Sequence, residues 1–245
     1  MKIVFSRKGF DTGSGGGASP VVDGRPVSLP IPERRGRGIP YGALGLGDAV
    51  AAASRGRVTA DDPCHLDPMF ENGRCAFGQA GAAQAHLANR GVGAGDVFLF
   101  FGLFETPGTR ERHHRIFGAL EVEEVVPLGP APDAAGQPHG FTRRHPHTEG
   151  RWPAANALYL GRGTLARTAP DALRLTRPGG PLCHWRVPDW LREAGLSYHA
   201  HPDRWSEPGI LRSVSRGQEF VCDAGDRPEA RDWLAAMLGR IAAAG

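Results

Sequence analysis

The stretch GVGAGDVFLFFGLF, residues 91–104, decides the fold of this chain. A glycine-rich turn precedes a continuous apolar run, Val97–Leu103, which is typical of a strand buried on both faces. A second run, Ala119–Leu128, alternates in part and predicts another strand, with the charged segment 105–115 as the connection. The N-terminal run Lys2–Ser6 is also short and apolar. We therefore expect Lys2–Ser6 and Val97–Leu103 to share one sheet.

Weaker patterns place short elements around these strands. The 35 glycines and 21 prolines leave no window of 25 residues free of both, which excludes long bundles and coiled coils. Neither a repeat nor a clean linker is visible, so the pattern predicts one α+β domain over residues 1–245. Helices are expected over Leu44–Ser54 and Phe77–Asn89, near Val187–Ala194 and from Pro228, and further strands near Ala157–Leu160, Leu173–Thr176 and Gln218–Cys222.

Composition limits the environment and the partners. A net charge of +3 permits an anionic partner without requiring one. No two of Cys64, Cys75, Cys183 and Cys222 form a C-x-x-C pair, which excludes a zinc ribbon or a thioredoxin-like motif. The N-terminal apolar run is too short for a signal peptide, and no stretch of about 18 apolar residues could span a membrane. We expect a cytoplasmic, reduced protein without a membrane partner.

The loop after the first strand has the composition of an anion site. Its glycines would let backbone N–H groups approach a ligand closely, and Arg7 and Lys8 add positive charge at the strand end. Lys8 is one of two lysines in an arginine-rich chain. The loop matches neither a Walker motif nor G-x-G-x-x-G. We predict that Ser6–Gly17 contacts the phosphate of a nucleotide or nucleic acid; the alternative is a flexible surface loop.

Histidines and carboxylates suggest a second chemistry. His65 and Asp67 form the H-x-D part of a 2-His-1-carboxylate site, whose ligands suit Zn or Fe(II). A divalent metal is therefore a possible cofactor, with His86 or the pair His113/His114 available to complete the site. The alternative is a turn capped by Asp67.

Two further features carry weaker signals. The H-x-H pairs His145/His147 and His199/His201 lie beside prolines and are predicted to be solvated loop histidines, with metal binding by either pair as the alternative. Glu219 lies in the predicted strand before the last helix, where a carboxylate can act as a general base or pair with an arginine.

These motifs together resemble one family, that of nucleotide modification associated domain 3. The resemblance runs in order from residue 1 to about residue 221. It rests on SRKGFD (6–11) with the glycines and SP that follow, SLPIP (28–32), HLDP (65–68), FGQAGAAQAHL (77–87), GDVFLFFGLF (95–104), LSYH (196–199) with RW (204–205), and RGQEFV (216–221). It implies a role around modified nucleic-acid bases and supplies no mechanism.

The resemblance also implies where the site lies, because the polar members of its motifs are the expected site residues. We expect catalytic roles for His65, Asp67, His86 and Glu219, with His65 and Asp67 also as metal ligands. The expected ligand-binding residues are Ser6, Arg7, Lys8, Asp11, Gln79, Gln84 and His199.

A second resemblance covers only residues 93–128, which are similar to the core strands of PUA-like domains, including EVE domains. It implies a small barrel that cradles a modified base. The expected fold is therefore α+β, a single domain with a mixed, partly barrel-like sheet and a few short helices.

Three functions remain open at this point. The first is an enzyme that modifies a nucleotide or a nucleic-acid base. The second is a non-catalytic reader of modified bases, which would need an aromatic cage drawn from Phe100, Phe101, Phe104, Trp152, Trp185 and Trp205. The third is a metal-dependent enzyme of small-molecule metabolism that uses His65 and Asp67.

Overall fold

The computed structural model describes residues 1–33, 38–106, 108–132, 137–205, 207–215 and 217–243. Pro107 of the charged segment 105–115 and Arg216 of the motif RGQEFV lie outside the described residues. A long polar loop spans residues 129–153, and its residues 133–136 also lie outside.

The described residues form a mixture of strands and short helices. The strands are β1 Lys2–Arg7, β2 Ser19–Val22, β3 Arg25–Pro26, β4 Ile31–Pro32, β5 Ile39–Pro40, β6 Pro63–His65, β7 Met69–Glu71, β8 Arg74–Ala80, β9 Val97–Thr106, β10 Glu111–Pro127, β11 Asn156–Leu165, β12 His184–Arg186, β13 Ile210–Arg212 and β14 Glu219–Asp223. The α-helices are α1 Gly47–Ser54, α2 Gly81–Asn89, α3 Trp190–Ala194 and α4 Pro228–Ala242. No helix among them is both long and apolar enough to cross a membrane.

A nine-stranded mixed sheet forms the body of the chain. Its main path runs β14-β1-β9-β10-β11-β8-β7, with β2 and β3 joined to the far end of β9. β1 pairs in parallel with β9, and Ile3 lies opposite Val97. The prediction that these two strands share a sheet is therefore confirmed, as is the α+β class. β14 pairs with β1 in the antiparallel sense, which sets Ser6 opposite Glu219.

The period of two along β1 divides the core between the two faces of the sheet. Ile3 and Phe5 point to one face and pack with residues of α3 and α4, such as Trp190 and Leu234. Val4 points to the other face, into a cluster rich in phenylalanine. Ser6 and Lys8 continue the Val4 side, so they project where the phenylalanine cluster ends.

The sheet curls without closing. Phe77 of β8 packs on Phe98 and Phe100 of β9, with ring centroids 5.0 and 5.3 Å apart, although β10 and β11 lie between these strands in the sheet. The path still ends at two edges, β14 and β7, so the described strands form a curved sheet and no closed barrel. The curl brings the end of β8 to the ends of β1 and β14.

A small sheet supports the segment after β6. β4 and β5 flank β6, with Ile31 opposite His65 and Ile39 opposite Cys64. The backbone N–H of Glu33 donates to the carbonyl of Pro63 at 2.9 Å, which fixes Glu33 beside β6.

The prediction of a helix over Phe77–Asn89 was wrong in its first part. Arg74–Ala80 is strand β8, and the helix begins at Gly81. Pairing with β11, which sets Phe77 opposite Tyr159, outweighs the helix propensity of the alanine-rich sequence.

Other element predictions also needed correction. The charged segment 105–115 is no simple connection, because its described residues complete β9 and begin β10. Leu173–Thr176 is not a continuous strand. Leu173 ends the 3-10 turn Asp171–Leu173, and Arg174 and Thr176 form isolated β-bridges. The predicted helices near Leu44 and Val187 are shorter than expected, since they begin at Gly47 and Trp190.

Candidate functional site

A buried polar cluster lies where β1, β8 and β14 meet. We call Ser6, Lys8, Gln79 and Glu219 the Glu219 cluster. The ammonium of Lys8 lies 3.0 Å from Oε1 of Glu219, and the amide nitrogen of Gln79 donates to the same oxygen at 2.8 Å. The Lys8 and Glu219 side chains are only 9% and 1% exposed. Strand pairing and the curl of the sheet thus bring three separate sequence motifs to one carboxylate.

The Glu219 cluster is incompletely satisfied. Glu219 Oε2 and Ser6 Oγ are buried, and neither has a hydrogen-bond partner among the described residues. Burying a polar atom without a partner costs about 1–3 kcal/mol. A buried polar atom of this kind requires an explanation, and a catalytic role or a bound water or ion is one, so this cluster is a candidate binding or reaction site.

Gln84 and His86, on α2, border the cluster. The Tyr159 hydroxyl donates to Oε1 of Gln84 at 3.2 Å, and burial raises the pKa of Tyr159 to about 12. His86 Nε2 lies 3.1 Å from the Ser197 hydroxyl, and its ring lies 4.8 Å from that of Tyr198. Burial and the charge of Arg90 lower the pKa of His86, while the charge of Glu219 opposes the shift.

A second group of ionisable side chains surrounds Asp67. We call His65, Asp67, His145 and His147 the histidine–aspartate centre. His65 Nε2 and His147 Nε2 each lie 3.9 Å from Asp67 Oδ2. The other carboxylate oxygen, Asp67 Oδ1, accepts a hydrogen bond from the backbone N–H of Gly78 at 3.0 Å and lies 3.2 Å from His145 Nε2. The ligand atoms of His65, Asp67 and His147 all lie within 4.8 Å of one another, and they are the one such group found in the described part of the chain.

The charge state of the centre follows from its surroundings. Burial disfavours an ionised Asp67, but the hydrogen bond from His145, the charges of His145 and His147 when they are protonated, and the charge of Lys8 outweigh it, so the pKa of Asp67 lies well below its usual range. Burial lowers the pKa of His65 and lowers that of His147 to about 4. At neutral pH the centre therefore holds a carboxylate and neutral imidazoles at these two positions.

Lys8 connects the two groups. Its ammonium pairs with Glu219, lies 4.2 Å from the centre of the Phe77 ring, and is close enough to Asp67 to favour the carboxylate. The Glu219 cluster and the histidine–aspartate centre therefore lie on either side of one lysine.

A cleft of about 1000 Å³ opens beside the histidine–aspartate centre. Its wall contains both neighbours of His65 along the chain, Cys64 and Leu66. Trp152 lines the cleft and stacks on the ring of His147, with centroids 3.9 Å apart and planes 17° apart. Three arginines also line it, Arg143, Arg144 and Arg151. The cleft thus combines an aromatic ring and positive charge next to the centre.

Three of the expected site residues lie apart from both groups. Arg7 alternates with Ser6 and Lys8 and points to the other face of β1, where its guanidinium donates to the carbonyls of Val214 and Ser215. His199 is buried, and both of its ring nitrogens bond to backbone groups, those of Ser197 and Val214. Burial lowers the pKa of His199 to about 4. These contacts give Arg7 and His199 structural roles.

Asp11, the third, belongs to the glycine-rich loop. Its Oδ1 accepts hydrogen bonds from the backbone N–H groups of Gly13 and Ser14, at 2.8 and 2.6 Å. The Gly16 N–H donates to the Asp11 carbonyl at 2.9 Å. These donors are committed within the loop, and Lys8 points to Glu219 instead. Contact between Ser6–Gly17 and a phosphate stays a prediction, and a ligand there would have to displace the Asp11 carboxylate.

Sequence reasoning missed the second half of the histidine–aspartate centre. His145 and His147 were predicted to be solvated, yet their side chains are 0% and 5% exposed. Pro146 starts a 3-10 turn, Pro146–Thr148, which sets both imidazoles against Gly78 of β8. The H-P-H spacing was the available signal. The pair His113/His114, considered as ligands, lies elsewhere, and His114 accepts from the indole N–H of Trp185 at 3.0 Å.

Comparison with known proteins gives one match. The family model described as nucleotide modification associated domain 3 matches residues 2–223 of the 245. Searches of the curated proteins and of the solved structures gave no match. The matched range contains every residue of the Glu219 cluster and of the histidine–aspartate centre. This chain therefore belongs to the nucleotide modification associated domain 3 family.

Proposed function

We propose that this protein is an enzyme that modifies a nucleotide or a nucleic-acid base. The observation that carries the proposal is the position of the histidine–aspartate centre, which lies beside a cleft lined by arginines and a tryptophan. The family description, which refers to nucleotide modification, agrees with this substrate class.

The cleft supplies groups that suit a nucleotide. Arginine guanidinium groups form two parallel hydrogen bonds to phosphate, and a tryptophan ring offers a face on which a base can stack. The Arg144 side chain is 57% exposed, and its Nη1 lies 3.7 Å from Oε1 of Glu149, so a phosphate would compete with that carboxylate for Arg144. We assign the phosphate to Arg143 and Arg144 and the base to Trp152, so that the base lies near His147 and His65.

Acidic and imidazole side chains supply the chemistry. Asp67, His65, His86 and Glu219 are the proposed catalytic residues: Glu219 and His86 would hold or move protons on the substrate, and His65 and Asp67 belong to the centre beside the cleft. Glu219 has one committed oxygen, Oε1, and one buried oxygen without a partner among the described residues, Oε2, which is the atom available to accept a proton. Lys8 and Gln79 orient the Glu219 carboxylate, and Gln84 stands at the margin of the cluster.

A reader of modified bases is the alternative, and the structure gives it less support. An aromatic cage needs several ring faces around one pocket. Phe100, Phe101, Phe104 and Trp185 are fully buried in the core, and Trp205 is 7% exposed. Of the aromatic residues considered for a cage, Trp152 is the one that lines the cleft.

We expect the double substitution Arg143→Ala/Arg144→Ala to weaken binding of a labelled single-stranded oligonucleotide and to reduce its salt dependence. Each phosphate contact adds about 0.7 to the slope of log K against log salt, so losing two contacts lowers the slope by about 1.4. Fluorescence anisotropy at a series of salt concentrations measures both quantities. The matched control is Arg231→Ala, an exposed arginine on α4 that does not line the cleft. Equal slopes for the wild type and the double variant would contradict the phosphate assignment.

The same titration tests whether the base stacks on Trp152. Trp152→Ala should lower the affinity by about 1–3 kcal/mol, the usual contribution of one aromatic stack, and Trp152→Phe should retain part of it. Competition with an unlabelled nucleoside monophosphate shows whether a single nucleotide fills the cleft. Wild-type affinity in Trp152→Ala would place the base elsewhere.

A further inference from the structure

We infer that His65, Asp67 and His147 bind a divalent transition-metal ion. The inference goes beyond the proposed function, because it names a ligand site that stands whether or not the substrate is a nucleotide. It rests on three observations: the spacing of the ligand atoms, the ring nitrogen that carries the proton in each imidazole, and the groups that contact the Nδ1 atoms of His65 and His147.

The spacing suits a metal better than it suits hydrogen bonds. Each of the two Nε2 atoms lies 3.9 Å from Asp67 Oδ2. Hydrogen bonds between nitrogen and oxygen span about 2.7–3.2 Å, so neither pair is bonded directly. Bonds of about 2.0–2.2 Å to a tetrahedral ion place neighbouring ligand atoms about 3.4 Å apart. A contraction of about half an ångström in each Nε2–Oδ2 pair would bring those atoms to this spacing, and all three ligand atoms already lie within 4.8 Å of one another.

The protonation of His147 directs a lone pair toward Asp67. The Asn156 amide nitrogen donates to the carbonyls of Gly129 and His147, which identifies Oδ1 as the Asn156 atom that faces the imidazole. His147 Nδ1 lies 2.8 Å from that oxygen and must donate to it. A neutral His147 therefore carries its proton on Nδ1, and its Nε2 is an acceptor.

His65 is held in the same way. Its Nδ1 lies 3.4 Å from a carboxylate oxygen of Glu33, a long contact in which the oxygen can only accept, so the proton of a neutral His65 is favoured on Nδ1. His65 Nε2 is therefore also an acceptor. Two acceptor nitrogens and one carboxylate oxygen therefore lie within 4.8 Å of one another without a proton between them, an arrangement that a cation would stabilise. Metal-binding histidines characteristically donate their second ring N–H to a carboxylate or carbonyl oxygen in this manner.

His145 has a different role. The backbone N–H of His147 donates to His145 Nδ1 at 3.2 Å, so a neutral His145 carries its proton on Nε2. That proton points to Asp67 Oδ1, which the Gly78 N–H also contacts. Asp67 Oδ1 is thus fixed by two donors, and Oδ2 is left to coordinate. His145 is a positioning residue and not a ligand.

The ligand set indicates the type of ion. Two imidazoles and one carboxylate suit Zn²⁺ or Fe²⁺, and three protein ligands leave at least one coordination position for water or substrate, as in catalytic sites. The cleft provides the access, because Trp152 both lines it and stacks on His147.

The test is a metal titration of the whole chain after removal of metals with a chelator. We expect calorimetry to show one Zn²⁺ ion bound per chain. We expect Co²⁺ to give the visible absorption bands typical of a site with a low coordination number. His147→Ala and Asp67→Asn should each lower the affinity by about 100-fold or more, because changes to second-sphere groups alone cost about 10–100-fold. The matched control is His201→Ala, a histidine whose side chain is 71% exposed, which should bind as the wild type does.

A second variant covers the case in which His147→Ala fails to fold. Glu33→Ala removes the carboxylate next to His65 Nδ1 and should lower the affinity by about 10-fold, with Glu33→Gln retaining most of it. Absence of saturable binding by the folded wild type, or equal affinities for the wild type and Asp67→Asn, would overturn the inference. Because metal binding is measured without a nucleotide, its failure is distinguishable from failure of the oligonucleotide titration.

Discussion

Lys8→Met is expected to destabilise the protein by about 3–5 kcal/mol, the usual cost of leaving a buried charge without its partner. Glu219 is 1% exposed at its side chain, and Lys8 is the cation within ion-pair distance of it. Methionine keeps most of the apolar stem of the side chain and removes the ammonium, so the loss reports on the charge, including its contact with the Phe77 ring at 4.2 Å. Chemical denaturation, followed by circular dichroism, measures the change in the free energy of unfolding.

The control for Lys8→Met is the double variant Lys8→Met/Glu219→Gln, in which no charge is left unpaired. The glutamine can still accept from Gln79, which donates to Oε1 of Glu219 in the wild type. We expect the double variant to recover a large part of the stability lost in Lys8→Met. If the double variant is as unstable as the sum of the two single variants, the ion pair is not what holds the cluster.

The second large effect is expected for Gly78→Ala. A methyl group at Gly78 would lie 2.8 Å from the ring of His145 and still closer to the ring of His147, so both imidazoles would have to move. Overpacking of this kind costs about 1–3 kcal/mol. His147 is a proposed metal ligand and His145 positions Asp67. We therefore also expect the metal affinity to fall by about 10–100-fold, although no ligand residue is replaced. Calorimetric Zn²⁺ titration and thermal unfolding measure the two effects.

Gly93→Ala is the matched control for Gly78→Ala. Nothing lies within 4 Å of a methyl group at Gly93, and its backbone does not adopt the left-handed conformation. It should bind Zn²⁺ and unfold as the wild type does. Undisturbed metal binding in Gly78→Ala would show that the imidazoles are not held against β8 as described.

The apolar runs predicted the centre of the fold because burial on both faces leaves a strong local pattern. Val97–Leu103 and Lys2–Ser6 lie in adjacent parallel strands, as expected. The motif FGQAGAAQAHL was misassigned in its first residues because pairing with β11 is a long-range interaction, which local helix propensity does not register. The curl of the sheet has the same origin, since it depends on the contact between Phe77 and Phe98.

The expected site residues divide according to strand periodicity. Ser6, Lys8 and Glu219 share one face through the pairing of β1 with β14, and Gln79 reaches it from β8. Arg7 could not join them, because a residue between two others on a strand points to the opposite face. Proximity in sequence therefore does not show that Arg7 projects to the face opposite Ser6 and Lys8.

The ligands from the polar loop could not be predicted, because loop conformation depends on contacts that sequence spacing does not show. His65 and Asp67 were expected to need a distant histidine, and His147 lies in that position. It was set aside because it lies next to a proline in a loop. Pro146 in fact sets the turn that brings His147 to Asp67.

The most direct test of the account is nucleoside mass spectrometry of the nucleic acids from cells that carry the chain's gene, with Asp67→Asn introduced at the native locus. His201→Ala at the same locus is the control. If the protein modifies a nucleotide or a base, one modified nucleoside should be present in the wild type and in His201→Ala and should be lost or replaced by its precursor in Asp67→Asn. Identical nucleoside profiles in all three strains, with each protein produced at the same level, would contradict the proposed enzymatic function.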